Sequence, residues 1–306
     1  MSVAHLFPGQ GAQTPGFLHR LPDHPAVADT LREAAATLNV DIGTWDGAEA
    51  LQSTVNVQLG LLVAGVAVSR ALKQEGLPPD AVAGLSVGAF GAAVASGAIQ
   101  FSDALALVRL RAESMRDAYP TGFGMAAING LDERRLEAIL TQVGGAGASV
   151  FIANLNAPTQ LVISGADGAL ESALRLARQA GARQAQRLPV SVPSHSPLLA
   201  GVSQRLAQAL QSIEVAAPQI PYISNRRARA VREADAVRED LILNVSHPVR
   251  WHESVTLLFE LGFRTFVEMP PGRVLSGLLQ QNFPGVRAIA ADDAQPRAIF
   301  SAATRD

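Results

Sequence analysis

The sequence predicts an α/β protein with a mostly parallel sheet flanked by helices and a small βαββαβ unit inserted mid-chain. Three features carry that expectation. Short apolar runs alternate with helical stretches towards both ends of the chain. The segment from 123 to 190 holds a complete βαββαβ order of its own. Gly84-Leu85-Ser86-Val87-Gly88 lies between an apolar run and a helix of small residues, the setting of a strand-to-helix elbow.

Taken in order, Val3 to Phe7 is an apolar run closed by Pro8-Gly9, which reads as a buried strand and a tight loop. Helical spacing follows over 25–39 and 57–75, the second ended by Pro78-Pro79. Ala81 to Ala83 is a short strand and 87–97 a small-residue helix. Ser102-Asp103 opens a helix that runs to Tyr119, where Pro120 and Gly122 stop it. The inserted unit reads as strand 124–129, helix 132–143, strand 149–154, strand 160–164, helix 167–180 and strand 183–190. The expected division is a large unit of 1–122 with 191–306 and a small one of 123–190.

Composition narrows the function classes. The chain has 306 residues, 48% hydrophobic and 17% charged, enough to bury a sizeable core. A net charge of -2 gives no electrostatic case for nucleic acid or an anionic membrane. No cysteine is present, which excludes disulfides, thiolate metal sites and a cysteine nucleophile. No spacing of His, Asp and Glu suggests a metal site. The N-terminus lacks the basic and apolar regions of a signal peptide, and a cytoplasmic location is expected. The apolar run Leu59 to Val68 is too short to span a bilayer and reads as a buried helix.

The elbow motif alone is weak, since chance gives roughly one match per ten chains of this length. Its position between strand and helix strengthens it. Side chains two residues either side of Ser86 would collide in so tight a turn, and glycine removes them. The N–H of Val87 then opens a helix and points where an oxyanion would form. The bland alternative is a loop serine in a glycine-rich packing contact. A serine nucleophile needs a base, and six histidines are available. His19 and His24 lie in a Pro-rich connection and read as solvated, His5 lies in a buried strand, and His247 and His252 lie around Pro-Val-Arg-Trp. His195 lies in a polar loop just after the inserted unit, where a histidine is either a base or merely exposed. On the helix from Asp103, residues 104, 107, 108, 111 and 115 share a face and read Ala, Leu, Val, Arg, Met. An arginine there either snorkels outward or meets an anion inside.

These residues resemble the malonyl-CoA:acyl carrier protein transacylase family. Phe7-Pro-Gly-Gln-Gly-Ala-Gln13 is similar to its F-P-G-Q-G-x-Q opening, and Arg111 with Met115 to its R-x-x-x-M. Asn154-Leu-Asn-Ala-Pro-Thr-Gln160 with Val162-Ile-Ser-Gly165, Pro193-Ser-His195, Pro248-Val-Arg-Trp251 and Glu268-Met-Pro-Pro-Gly272 follow in family order. The resemblance spans residues 7 to about 279. It implies an α/β-hydrolase-like core with a ferredoxin-like insert. It also implies a Ser-His dyad of Ser86 and His195, an oxyanion hole from the N–H groups of Gln10 and Val87, and Arg111 on the malonyl carboxylate. Asn244 would orient His195 through its carbonyl, where the family usually has glutamine. Leu85, Met115, Asn154, Asn156 and Gln160 would line the pocket. The implied substrate is malonyl-CoA, with no bound cofactor. The implied acceptor is a carrier protein's phosphopantetheine-type or CoA-derived thiol arm.

Two positions depart from the family's G-H-S-x-G-E: Leu85 and Ala89. That variant resembles the transacylase (epsilon) subunit of biotin-independent malonate decarboxylase, so the favoured acceptor is that enzyme's carrier subunit. The alternatives are a stand-alone transacylase of fatty-acid synthesis, a serine thioesterase or hydrolase, and a non-catalytic carrier-docking subunit. Arg226, Arg227, Arg229 and Arg232 form a basic run that reads as a solvated loop or as a seat for CoA phosphates or an acidic carrier.

Overall fold

The computed structural model describes residues 2–144, 149–292 and 294–305. The larger sheet contains β1 (Val3–Phe7), β2 (Ala81–Gly84), β7 (Tyr222–Ile223), β8 (Ala230–Val231), β9 (Thr265–Glu268) and β10 (Arg287–Ala290). Its order is β10-β9-β1-β2-β7-β8, parallel throughout except for β8. From β1 the chain steps one way to β2 and β7, and later returns to the other side of β1 to place β9. That reversal makes the C-terminal ends of β1, β2 and β9 the natural site for a ligand.

The smaller sheet is antiparallel and is drawn from β3 (Phe123–Asn129), β4 (Val150–Ala157), β5 (Gln160–Ala166) and β6 (Gln184–Arg187), in the order β4-β5-β3-β6. Helices α5 (Glu133–Gly144) and α6 (Asp167–Gln179) complete the expected βαββαβ unit. Its apolar cluster, with Ile128, Leu136, Ile163 and Leu170, is separate from that of the larger sheet. Backbone bonds join β4 of the smaller sheet to the segment around Val249. Leu155 N–H donates to the Val249 carbonyl and Val249 N–H to the Ala153 carbonyl, both at 2.9 Å. Arg250 N–H donates in turn to the Asn225 carbonyl just after β7, so this segment links β4 to the C-terminal end of a parallel strand.

Element boundaries moved where a polar residue decides them. Helix α2 begins at Thr54, three residues before the apolar pattern, because Ser53 caps it and accepts from Asn56 N–H. It runs to Gln74, so it is long and apolar enough to cross a membrane, which the ten-residue apolar run did not suggest. Most of its residues are buried, which makes it a core helix packed against α1 (Pro25–Leu38), α3 (Gly88–Ala95) and α4 (Phe101–Ala118). Strand β6 stops at Arg187, and Leu188 to Val190 turn away to line the cavity described below. His24 is not simply solvated: its ring accepts from Ala26 N–H and caps α1. His19 stays exposed but bonds Asp46.

Candidate active site

The elbow forms as the glycines require. Ser86 has φ +58°, a left-handed conformation costing about 1–3 kcal/mol for a residue with a side chain. A Cβ on Gly84 would stand 2.1 Å from the Gly88 carbonyl carbon, and one on Gly88 would stand 2.2 Å from the Phe7 oxygen. Both contacts are with backbone, so neither can yield. The loop after β1 packs on the same turn: a Cβ on Gly9 would meet Leu85 Cδ2 at 2.6 Å. The small residues around Ser86 thus let two chain segments meet directly beneath a half-exposed hydroxyl.

His195 comes from the loop before α7 (Ala200–Ala209) and also has positive φ, +61°. Its N–H bonds the Val245 carbonyl at 2.8 Å. Its Nδ1 lies 2.6 Å from the Asn244 carbonyl oxygen, which can only accept. Nδ1 therefore carries the proton, and Nε2 presents a lone pair to Ser86 Oγ at 2.7 Å. Burial, with the nearby Arg111 charge, lowers the His195 pKa to about 4, so the ring is neutral at pH 7. No acid is needed to hold the tautomer, because the carbonyl does so.

Arg111 is 1% exposed, so it does not snorkel. It donates through Nη1 to Gln58 Oε1 and through Nη2 to Ser86 Oγ at 3.2 Å. Its Nε has no partner, and among the described residues no carboxylate pairs with it. Burial lowers its pKa to about 9, which leaves it cationic at neutral pH. An unpaired buried cation costs several kcal/mol, and this one waits beside the hydroxyl.

The N–H groups of Gln10 and Val87 donate to no acceptor among the described residues. Both residues border a cavity of about 280 Å³ that also contains Ser86, His195, Arg111, Leu85, Met115, Asn154 and Asn156. Gln160, expected here, does not line it. It opens β5 opposite Asn129, beyond the β4–β5 turn, while Asn154 and Asn156 share the cavity face through their spacing of two. Two residues of the site were missed from sequence. Gln58 directly precedes the apolar run from Leu59, and Asn225, whose Oδ1 accepts the Ser86 N–H at 2.9 Å, directly precedes the basic run from Arg226, so neither stands out in the sequence. That run is partly neutralised: Arg226 and Arg227 both pair with Glu239.

The family described as acyl transferase domain matches residues 4–306. The chain belongs to the acyl transferase family. The malonyl CoA-acyl carrier protein transacylase of Bacillus subtilis is 40% identical over 296 residues, covering 95% of this chain and 93% of that protein. Among solved structures, an acyl-carrier-protein S-malonyltransferase from Burkholderia pseudomallei has TM-score 0.94 and 38% identity, with all of both chains covered. A malonyl-transacylase solved in complex with its type II PKS acyl-carrier protein has TM-score 0.94 and 35% identity, again over all of both chains. This acyl transferase therefore shares its whole architecture with the two solved structures, the antiparallel insert included.

Proposed function

We propose that the protein is a malonyl-CoA:acyl carrier protein transacylase working through a malonyl ester on Ser86. The carrying observation is the buried, unpaired Arg111 guanidinium 3.2 Å from Ser86 Oγ. It supplies two parallel donors to a carboxylate, which malonyl has and acetyl lacks.

The chemistry follows from the placed groups. Ser86 Oγ attacks the thioester carbonyl of malonyl-CoA as His195 Nε2 takes its proton. The carbonyl oxygen becomes an oxyanion beside the free N–H groups of Val87 and Gln10. The C–S bond breaks, and the imidazolium returns the proton to the CoA sulfur. A carrier thiol then enters. His195 takes the thiol proton, the sulfur attacks the ester, and Ser86 Oγ leaves reprotonated. Arg111 holds the malonyl carboxylate through both halves.

The acceptor is the thiol arm of an acyl carrier protein of the kind the relatives are named for. This reading is preferred to the malonate decarboxylase carrier suggested by Leu85 and Ala89. Every relative compared above is a malonyl transferase acting with an acyl carrier protein. Ala89 is fully buried beneath the elbow, and Leu85 lies against Gly9 at the cavity wall.

The test is a product assay from malonyl-CoA with and without a carrier thiol, run with both carriers. Malonyl-carrier formed in preference to free malonate supports transacylation. Free malonate alone means a hydrolase, and no turnover means a docking subunit.

A further inference from the structure

Ser86 is held from a side that the proposed chemistry does not use. Its N–H donates to Asn225 Oδ1 at 2.9 Å. Asn225 follows β7, the parallel neighbour of β2, and continuing the register Ala83↔Ile223 brings it level with the elbow. Its own N–H donates to Asp240 Oδ2 at 3.1 Å. Asp240 lies on α8 (Ala234–Leu243), and its carboxylate also accepts from the Tyr222 hydroxyl at 2.7 Å and Arg226 N–H at 3.3 Å. One helical turn on, Asn244 N–H donates to the Asp240 carbonyl and caps α8. The Asn244 carbonyl is the group that holds His195 Nδ1, and His195 Nε2 returns to Ser86 Oγ.

We infer that Ser86, Asn225, Asp240, Asn244 and His195 form one closed ring of hydrogen bonds that sets nucleophile against base, with Asn225 and Asp240 as positioning residues. All but Ser86 are at most 3% exposed, so water does not compete for the ring. The left-handed Ser86 persists only where its surroundings over-determine it. The Oγ–Nε2 contact alone fixes one distance. The bond from Ser86 N–H to Asn225 also fixes the rotation of the turn, and with it the direction of the next donor, Val87 N–H. Helix α8 is then a ruler: Asp240 indexes the serine and Asn244 indexes the histidine.

This inference rests on the proposed malonylation of Ser86, and its test separates the two. Single-turnover malonylation, the malonyl-CoA concentration dependence and the melting temperature are measured for Asn225→Ala and Tyr222→Phe. The downfield proton resonance of His195 Nδ1–H is followed in the same proteins. Asn225→Ala should slow malonylation about 10–100-fold, the scale of an ångström-level misplacement, with half-saturation changed less than about threefold. Tyr222→Phe touches neither Ser86 nor His195, keeps its ring packed, and should still shift the Nδ1 resonance and slow malonylation about 2–5-fold. Wild-type rates in Asn225→Ala, or an unmoved resonance in Tyr222→Phe, would overturn the ring. A wild-type protein that takes no malonyl would instead sink the proposed function, while the His195 resonance still decides the ring.

Discussion

A guanidinium without a carboxylate is costly in a dry interior, and Arg111 is held in that condition by Gln58 on one side and Ser86 on the other. In the proposed reaction the malonyl carboxylate would relieve it. Arg111→Ala should lose roughly 2–5 kcal/mol of transition-state binding for malonyl, and acetyl transfer should fall much less. Comparing kcat/KM for the two acyl-CoAs checks this; equal losses would make Arg111 structural. His195 gives a second expectation. Its pKa of about 4 means that the base is neutral above that value and protonated below it. Malonylation should therefore hold from pH 8 to about 5 and fall about tenfold per unit below about 4, read from single-turnover rates. Ser86, His195 and Arg111 were legible because each sits in a pattern that chemistry restricts. Gln58 and Asn225 were not, since an amide reveals its role only through the partner that folding brings to it.

At the scale of elements, the elbow is the joint between β2 and α3, and its glycines are contact surfaces for the loop after β1. Gly88→Ala would press a methyl onto the Phe7 carbonyl at 2.2 Å. It should cost about 1–3 kcal/mol or more and displace Ser86, seen as a lower melting temperature and lost malonylation together. The order of strands and helices up to residue 190 was readable from apolar periodicity, and the βαββαβ unit from its completeness. What periodicity missed were ends set by single polar contacts, such as the Ser53 cap of α2. The family resemblance placed Gln160 in the cavity, although the β4–β5 turn carries it away.

Across the whole molecule, two histidines are buried neutral. His5 in β1 is pushed down to about 3 by burial and His195 to about 4, both from 6.5. The unfolded chain therefore binds protons below 6.5 that the native state refuses. Their contribution to stability is complete above about pH 6.5 and is lost as pH falls towards the native values. The slope is about 1.4 kcal/mol per unit for each histidine. The melting temperature should drop between pH 6.5 and 4.5, and His5→Asn should drop less steeply; parallel curves would contradict the buried-neutral reading. Which strands form a sheet could be guessed from the chain. That the segment around Val249 links β4 to the C-terminal end of a parallel strand could not, because it rests on backbone bonds between residues far apart in the chain. The purpose of the cavity around Ser86 is the central claim, and intact-mass analysis after mixing with malonyl-CoA or acetyl-CoA tests it most directly. One malonyl group should appear on the wild-type chain, none on Ser86→Ala, and acetyl should load far more slowly. A malonyl adduct on Ser86→Ala, or acetyl loading as fast as malonyl, would contradict it.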